Sequence, residues 1–99
     1  MKIIVQKFGG TSVSTQERRE LVVDKIESAV KKGFLPIVVV SAIGRKGDPY
    51  ATDTLINLAA SAGVKNNPRE LDMIMSCGEI ISGVVLSNTI KKRGYDNIV

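Results

Sequence analysis

The feature that most constrains the fold is an unbroken apolar run, residues 37–40, made of one isoleucine and three valines. β-Branched residues favour strands, and a strand that is apolar without alternation is typical of one covered on both faces. Such strands occur almost only in parallel sheets that are flanked by helices. We therefore predict a buried strand over residues 35–42, with Pro36 at its start.

The first part of the chain has the order strand, helix, strand. Residues 2–8 are predicted to form the first strand, and residues 15–32 the first helix, because apolar side chains recur there at helical spacing. Ser14 and Glu17 have the spacing of a capping box at the start of that helix, and Gly33 follows its end. This order of elements implies a parallel pair of strands.

Two more helical regions and a third strand are predicted in the second half. A helix runs from Thr52, its N-cap, to about Ala62. Residues 69–93 are predicted to be helical. Because a second capping-box pattern occurs at residues 76–79, this stretch is either one long helix or two helices that meet near residue 77. Residues 95–99 resemble the start of a third strand, so we expect the polypeptide to continue. The prediction is an α/β sandwich of β-α-β-α-α-β order around a parallel sheet.

Composition excludes several classes of function. The chain has 99 residues, 43% hydrophobic and 24% charged, which fits one folded domain or a part of a larger one. The net charge of +4 comes from dispersed basic residues without a stripe of interleaved aromatics, so we expect no nucleic-acid partner. No uninterrupted apolar run approaches the roughly 20 residues of a membrane span, and no membrane partner is expected.

The sequence also restricts the chemistry and the compartment. One cysteine and no histidine exclude a zinc cluster and the usual serine–histidine pairing. No signal peptide precedes the first strand, so a cytoplasmic location is expected.

Two loops leave the carboxyl ends of the predicted strands, where ligands collect in an open α/β sheet. In the first loop, Gly9 and Gly10 let backbone N–H groups approach an anion, and the next helix points its positive end toward the same space. Lys7 shares a strand face with Ile3 and Val5 and comes last, at the strand end. A phosphate site and an ordinary glycine turn with a solvated lysine explain these residues equally well.

The second loop, residues 44–51, carries Arg45, Lys46 and Asp48. Its composition favours a solvated, mobile loop over a binding site. Thr52, at the start of the next helix, could hold a carboxylate with its hydroxyl and the nearby N–H groups, or it could simply cap the helix.

Glu79 lies in an apolar neighbourhood, where an unpaired carboxylate is costly. It either completes a capping box with Ser76 or binds a cationic group of a ligand. Cys77 is predicted to be a small packed side chain, since nothing nearby in the sequence would activate it.

Three blocks of the sequence resemble the aspartokinase family. Residues 5–13, VQKFGGTSV, match the aspartokinase signature at every position. Residues 39–44, followed by Thr52-Asp53, are similar to the second family block, and residues 76–82 to the third. The order and spacing fit as well, and the resemblance covers essentially the whole chain. The loop at residues 44–51 is longer than in many relatives and is similar to the version in some Gram-positive bacterial enzymes.

The resemblance implies an aspartate kinase, which transfers the γ-phosphoryl group of ATP to the β-carboxylate of L-aspartate with Mg²⁺, at the first step of lysine, threonine and methionine synthesis. Residues 1–99 would be the N-terminal part of a catalytic domain of the amino acid kinase fold. We expect this chain to be inactive alone and the full-length protein to be a homo-oligomer. The alternatives are a non-catalytic chain that self-associates through its sheet edges, and a same-fold kinase for another small acid.

The resemblance also implies roles for individual residues. Lys7 is the catalytic candidate, because the family lysine contacts the phosphates. The residues that would bind the ATP phosphates are Lys7, Phe8, Gly9, Gly10 and Thr11. Aspartate would be held by Thr52 and Ser41, with Glu79 on its amino group. No metal ligand is expected in this chain, since Mg²⁺ would be held mainly by the phosphates and by residues outside it.

Overall fold

A computed structural model describes all of residues 1–99 and contains one parallel two-stranded sheet and three helices. The elements are β1 (Lys2–Phe8), α1 (Gln16–Lys31), β2 (Phe34–Val40), α2 (Thr52–Ala60) and α3 (Pro68–Lys92). The strands pair from Lys2 beside Phe34 to Phe8 beside Val40, so both end at the same edge of the sheet. The predicted α/β class and the parallel pair are confirmed. Pro36 is the third residue of β2 and not its start.

The core lies on one side of the sheet, where α1 and α3 pack against alternate residues of the strands. Its buried side chains are Val13, Val22, Val23, Ile26, Leu86 and Ile90. Phe8, Val38 and Val40 contact this cluster from the strands. Burial of these aliphatic side chains is the main stabilising contribution, because aromatic residues make up only 4% of the chain.

The opposite side of the sheet is uncovered, and we call it the bare face. Its apolar side chains, each between 42% and 64% exposed, are Ile3, Val5, Leu35, Ile37 and Val39. The register sets Ile3 beside Leu35 and Val5 beside Ile37, so they form one continuous apolar strip. The prediction that residues 37–40 are covered on both faces is therefore wrong within this chain.

The start of α1 differs from the prediction by one residue. Thr15 is the N-cap, and its hydroxyl accepts a hydrogen bond from the Arg18 N–H at 3.2 Å. The Ser14 hydroxyl donates instead to the Thr11 carbonyl at 2.7 Å. The predicted capping box of Ser14 and Glu17 is therefore wrong.

The long helical stretch is a single helix, α3, of 25 residues. Its N-cap is Asn67, whose side chain accepts from the Arg69 N–H at 2.9 Å. The Ser76 hydroxyl donates to the Met73 carbonyl within the helix, so the second capping box does not form. Residues 95–99 are irregular, and the expected start of a third strand is not present.

By length and composition alone, α3 could span a membrane, since an 18-residue window of it has a mean hydropathy of 1.4. This measure averages over polar residues, so it differs from the prediction that no uninterrupted apolar run approaches the length of a span. The core helices of soluble proteins meet the same criterion. In this chain α3 packs against α1, α2 and β2, and the helix is weak evidence for a membrane partner.

Candidate functional site

The loops that follow β1 and β2 lie against each other at the carboxyl ends of the strands. The Ser41 N–H donates to the Phe8 carbonyl at 3.2 Å, and the Gly44 N–H donates to the Gly10 carbonyl at 2.9 Å. A Cβ atom on Gly10 would lie 2.4 Å from the Gly44 oxygen and 2.6 Å from the Ala42 oxygen. No residue but glycine fits at position 10 without moving the backbone, so this glycine sets the distance between the loops.

Gly9 is different from Gly10. It is exposed, its φ is not positive, and a Cβ atom there would meet nothing within 4 Å. Neither packing nor backbone conformation therefore requires glycine at this position. An open backbone at a strand end lets the atoms of a ligand approach closely, which is the role predicted for Gly9.

A cleft of about 170 Å³ opens between the two loops and the start of α2. The residues that line it are Gly10, Ser41, Ala42, Gly44, Arg45, Lys46, Ala51, Thr52 and Asp53. Three predicted site residues, Gly10, Ser41 and Thr52, thus come together. The hydroxyls of Ser41 and Thr52 take part in no side-chain hydrogen bond within the chain, so they are available to a ligand.

The start of α2 adds backbone donors to the cleft. Its N-cap is the buried Ala51, which has no side-chain oxygen to accept from the N–H groups of the first turn. The prediction of Thr52 as N-cap is wrong, because Thr52 is the first helical residue. The hydroxyl of nearby Thr54 already donates to the Asp48 carbonyl at 2.5 Å. Of these two threonines, Thr52 is therefore the one whose hydroxyl remains free.

The loop at residues 44–51 is folded on itself and against the first loop. The Asp48 carboxylate accepts from the Arg45 N–H at 2.8 Å, and the Asp48 N–H donates to the Arg45 carbonyl at 2.9 Å. The Arg45 Nε donates to the Thr11 hydroxyl at 2.8 Å. Arg45 and Lys46 are exposed, in line with the predicted solvated loop, but both also line the cleft, where the sequence favoured no binding site. An aspartate three residues after Arg45, between a glycine and a proline, is a turn signal that could have indicated this order.

Lys7 and Glu79 do not line the cleft. Lys7 lies on the bare face, one residue before the end of β1, and makes no salt bridge. Glu79 is exposed on α3 and not in the apolar surroundings that were predicted. A Cβ atom on the preceding Gly78 would lie 3.0 Å from the Cβ of Ala42, which lines the cleft. Glu79 thus follows a residue that packs against the cleft lining, Lys7 forms no part of that lining, and the roles of both stay predictions.

Comparison with known proteins decides the family, since residues 2–98 match the model of the amino acid kinase family. The chain belongs to this family. Its fold, predicted from the resemblance, is confirmed by the crystal structure of aspartate kinase from Synechocystis, with a TM-score of 0.86 at 41% identity, over 97% of this chain and 16% of that one.

The family members most useful for comparison are aspartokinases. This amino acid kinase chain is 51% identical to Aspartokinase 1 of Bacillus subtilis (strain 168), over 95% of the chain and 23% of that protein. It is 43% identical to the aspartokinase of Geobacillus stearothermophilus, over 96% of the chain and 22% of that protein. The chain thus spans less than a quarter of the length of these relatives.

The structure also shows the surroundings of Phe8, whose predicted role at the phosphates stays a prediction, and of Cys77, whose predicted packing is wrong. The Phe8 side chain packs against the core, so only its backbone faces the first loop, and its carbonyl already accepts from Ser41. Cys77 is exposed instead of packed, with its thiol 3.4 Å from the Met73 carbonyl.

The ionisable groups with shifted pKa values lie away from the cleft, where the end of α3 meets α1. We call this region the α1–α3 junction. The Arg93 guanidinium donates to the carboxylates of Asp24 and Glu20, which raises the pKa of Arg93 and lowers that of Glu20. A hydrogen bond between Tyr95 and Glu27 raises the pKa of the tyrosine and lowers that of the carboxyl. These groups satisfy one another and join the helices.

Proposed function

We propose that the chain is part of the catalytic domain of an aspartate kinase, which transfers the γ-phosphoryl group of ATP to the β-carboxylate of L-aspartate. The observation that carries the proposal is the close contact of the loops at Gly10. It gathers the free hydroxyls of Ser41 and Thr52, and the uncapped start of α2, into one cleft. The names of the compared relatives, aspartokinase and aspartate kinase, support the same reaction.

The phosphates of ATP are proposed to bind at the first loop. Gly9 leaves the backbone open, and α1 directs the positive end of its dipole toward the same space. Lys7 and the backbone of Phe8, Gly9 and Gly10 would neutralise the charge that gathers on the transferring group. Phosphoryl transfer depends on such positioning and charge neutralisation more than on covalent chemistry.

A carboxylate of L-aspartate is proposed to bind in the cleft. The hydroxyls of Ser41 and Thr52 can donate to it, together with the N–H groups of the first turn of α2. Glu79, exposed on α3 near the cleft, would bind the amino group of the substrate. Holding aspartate and ATP in contact supplies much of the acceleration through effective concentration.

The residues of this chain do not by themselves fit a Mg²⁺ site. Asp53 is the one carboxylate that lines the cleft, and no group of three or more His, Cys, Asp or Glu side chains could hold a metal ion. We propose that Mg²⁺ is bound by the ATP phosphates and by residues outside this chain. For the full-length protein we propose a cytoplasmic location and a homo-oligomer, as the resemblance implies.

The test is ADP formation, followed in a coupled assay, by the 99-residue chain and by the protein encoded by the natural reading frame that contains it. We expect aspartate-dependent ADP formation by the longer protein and none by the 99-residue chain. Activity with acetylglutamate and none with aspartate would show that the substrate is a different small acid. Activity of the short chain would overturn its proposed inactivity.

The bare face favours a second property, self-association of the isolated chain. Five apolar side chains lie side by side there, and both strands have an unpaired outer edge. In sedimentation experiments we expect the 99-residue chain to associate and the Ile37→Lys variant to be monomeric. The matched control is Leu58→Lys, which changes an exposed apolar residue on α2 and should leave the association unchanged.

A further inference from the structure

We propose that Arg45 is a positioning residue that joins the two loops of the cleft and presents its terminal nitrogens to an oxyanion bound between them. The proposal rests on the proposed kinase function, in which that oxyanion is a phosphate of ATP or a carboxylate of aspartate.

The link between the loops is one side-chain hydrogen bond. The Arg45 Nε donates to the Thr11 hydroxyl at 2.8 Å, across 34 residues of sequence. Thr11 belongs to the loop after β1, and Arg45 to the loop after β2. The backbone contact between Gly44 and Gly10 sets the loops at the right distance, and the arginine then fixes the orientation of the first loop.

The backbone of Arg45 is itself held in place. The Asp48 carboxylate accepts from the Arg45 N–H, and the Asp48 carbonyl accepts from the Thr54 hydroxyl. Gly44 has a φ of 86°, and a Cβ atom there would lie 2.2 Å from the Asp48 carboxylate. These contacts order the arginine before any ligand binds, so less conformational entropy is lost on binding.

The charge of Arg45 is left without a partner. Asp48 uses its carboxylate on a backbone N–H, and Arg45 takes part in no salt bridge. Once Nε is bound to Thr11, the two terminal nitrogens still carry four N–H donors in a planar fork. That geometry suits the paired oxygens of a carboxylate or a phosphate. Lys46 adds a second cation to the cleft, against the one carboxylate of Asp53.

The experiment uses the protein encoded by the natural reading frame, with Arg45→Met, Thr11→Val and the double variant. We expect Arg45→Met to lower kcat/KM by roughly tenfold or more, and Arg45→Lys to restore only a small part. The double variant should lose less than the product of the two single losses, because both remove the same link. Lys46→Met is the matched control, since it removes a neighbouring cation that makes no bond to the first loop, and its loss should be smaller.

Two further readouts separate the possible outcomes. A larger rise in KM for ATP than for aspartate would assign the oxyanion to a phosphate, and the reverse to a carboxylate. Amide hydrogen exchange of residues 9–14 should become faster in Arg45→Met and Thr11→Val and stay unchanged in Lys46→Met.

The proposal is overturned if the single losses multiply in the double variant, if Arg45→Met costs no more than Lys46→Met, or if exchange of residues 9–14 is unaffected. Exchange that changes as expected, in a protein without aspartate-dependent turnover, would refute the aspartate kinase function and support the link between the loops. Titration with inorganic phosphate would then test the oxyanion part, and equal affinity of the unmodified protein and Arg45→Met would overturn it.

Discussion

The cleft and the α1–α3 junction are built from similar polar groups but use them in opposite ways. At the junction, the guanidinium of Arg93 is bound by two carboxylates of α1, so its charge is satisfied within the chain. In the cleft, the hydroxyls of Ser41 and Thr52 and the terminal nitrogens of Arg45 have no partner of their own. Groups that satisfy one another hold the fold together, whereas unpaired groups gathered in a concavity indicate a place for a ligand.

The largest effect is expected from Gly10→Ala, because the new Cβ would overlap two backbone oxygens and force the loops apart. We expect turnover to be almost abolished and the free energy of unfolding to fall by about 1–3 kcal/mol. Gly9→Ala is the matched control, because its Cβ has open space, and it should change stability by less than about 0.5 kcal/mol. Steady-state kinetics and urea unfolding measure both. Unchanged turnover in Gly9→Ala would contradict the proposed approach of phosphate to that backbone.

The second largest effect is expected from Lys7→Ala, which removes an exposed cation at the end of β1. Turnover should fall about 10²–10³-fold, as on loss of one group that stabilises transition-state charge, with little change in KM for aspartate. Thermal unfolding should be unchanged, since the ammonium has no ion-pair partner. Lys65→Ala, in the exposed loop before α3, is the control. Equal turnover in both variants would remove Lys7 from the phosphate site.

A moderate effect is expected from Glu79→Gln, which keeps the shape of the side chain and removes its charge. KM for aspartate should rise roughly tenfold or more, as on loss of one charge-assisted hydrogen bond. Asp72→Asn, on the same helix and also exposed, should leave KM unchanged. If Glu79→Gln lowers the unfolding temperature and leaves KM for aspartate unchanged, Glu79 has a structural role instead.

The smallest effect is expected at the α1–α3 junction and depends on pH. The pKa values of Glu20 and Glu27 lie below their ordinary value of 4.5 in the folded chain. The folded state therefore binds fewer protons than the unfolded state, so the stabilisation is present above about pH 4.5 and is lost as the pH falls through the folded values. Arg93→Met should weaken this dependence in urea unfolding, but only slightly, because the pairs are partly exposed. The cleft variant Thr52→Val should leave this pH dependence unchanged. If Arg93→Met does not alter the pH dependence of the free energy of unfolding, the assignment of that dependence to the α1–α3 junction is contradicted.

The strands were predictable from the sequence because their apolar pattern is local. The first strand has the predicted bounds, residues 2–8, and the second is displaced by only one or two residues. The starts of the helices were less predictable. Ser14 and Thr15 both carry a hydroxyl, and the choice between them depends on the Thr11 carbonyl, which a turn brings within reach of Ser14.

The part of the candidate site that could be predicted consists of residues whose type and position alone suggest a role. The part that was missed depends on contacts between residues of different loops. A glycine at a strand end indicated Gly10, a hydroxyl at a helix start indicated Thr52, and the family resemblance implied Ser41. The structure brings these three residues together. The role of Arg45 depends on Thr11, a residue of another loop, and no local pattern contains that pair. The bare face could not be predicted either. An apolar strand indicates that both of its faces are buried, but not which segment of a polypeptide packs against each face.

The register of the two strands has a consequence for the chemistry beyond their ends. Phe8 lies beside Val40 as the last pair, and the Gly10 carbonyl then meets the Gly44 N–H. A slip of one residue would displace one strand by about 3.3 Å and exchange its two faces. If β1 slipped, Lys7 would turn toward the helices and the two loops would lose their contact. The packing of hydrophobic side chains along the whole length of the two strands thus sets the spacing of the polar atoms at their ends.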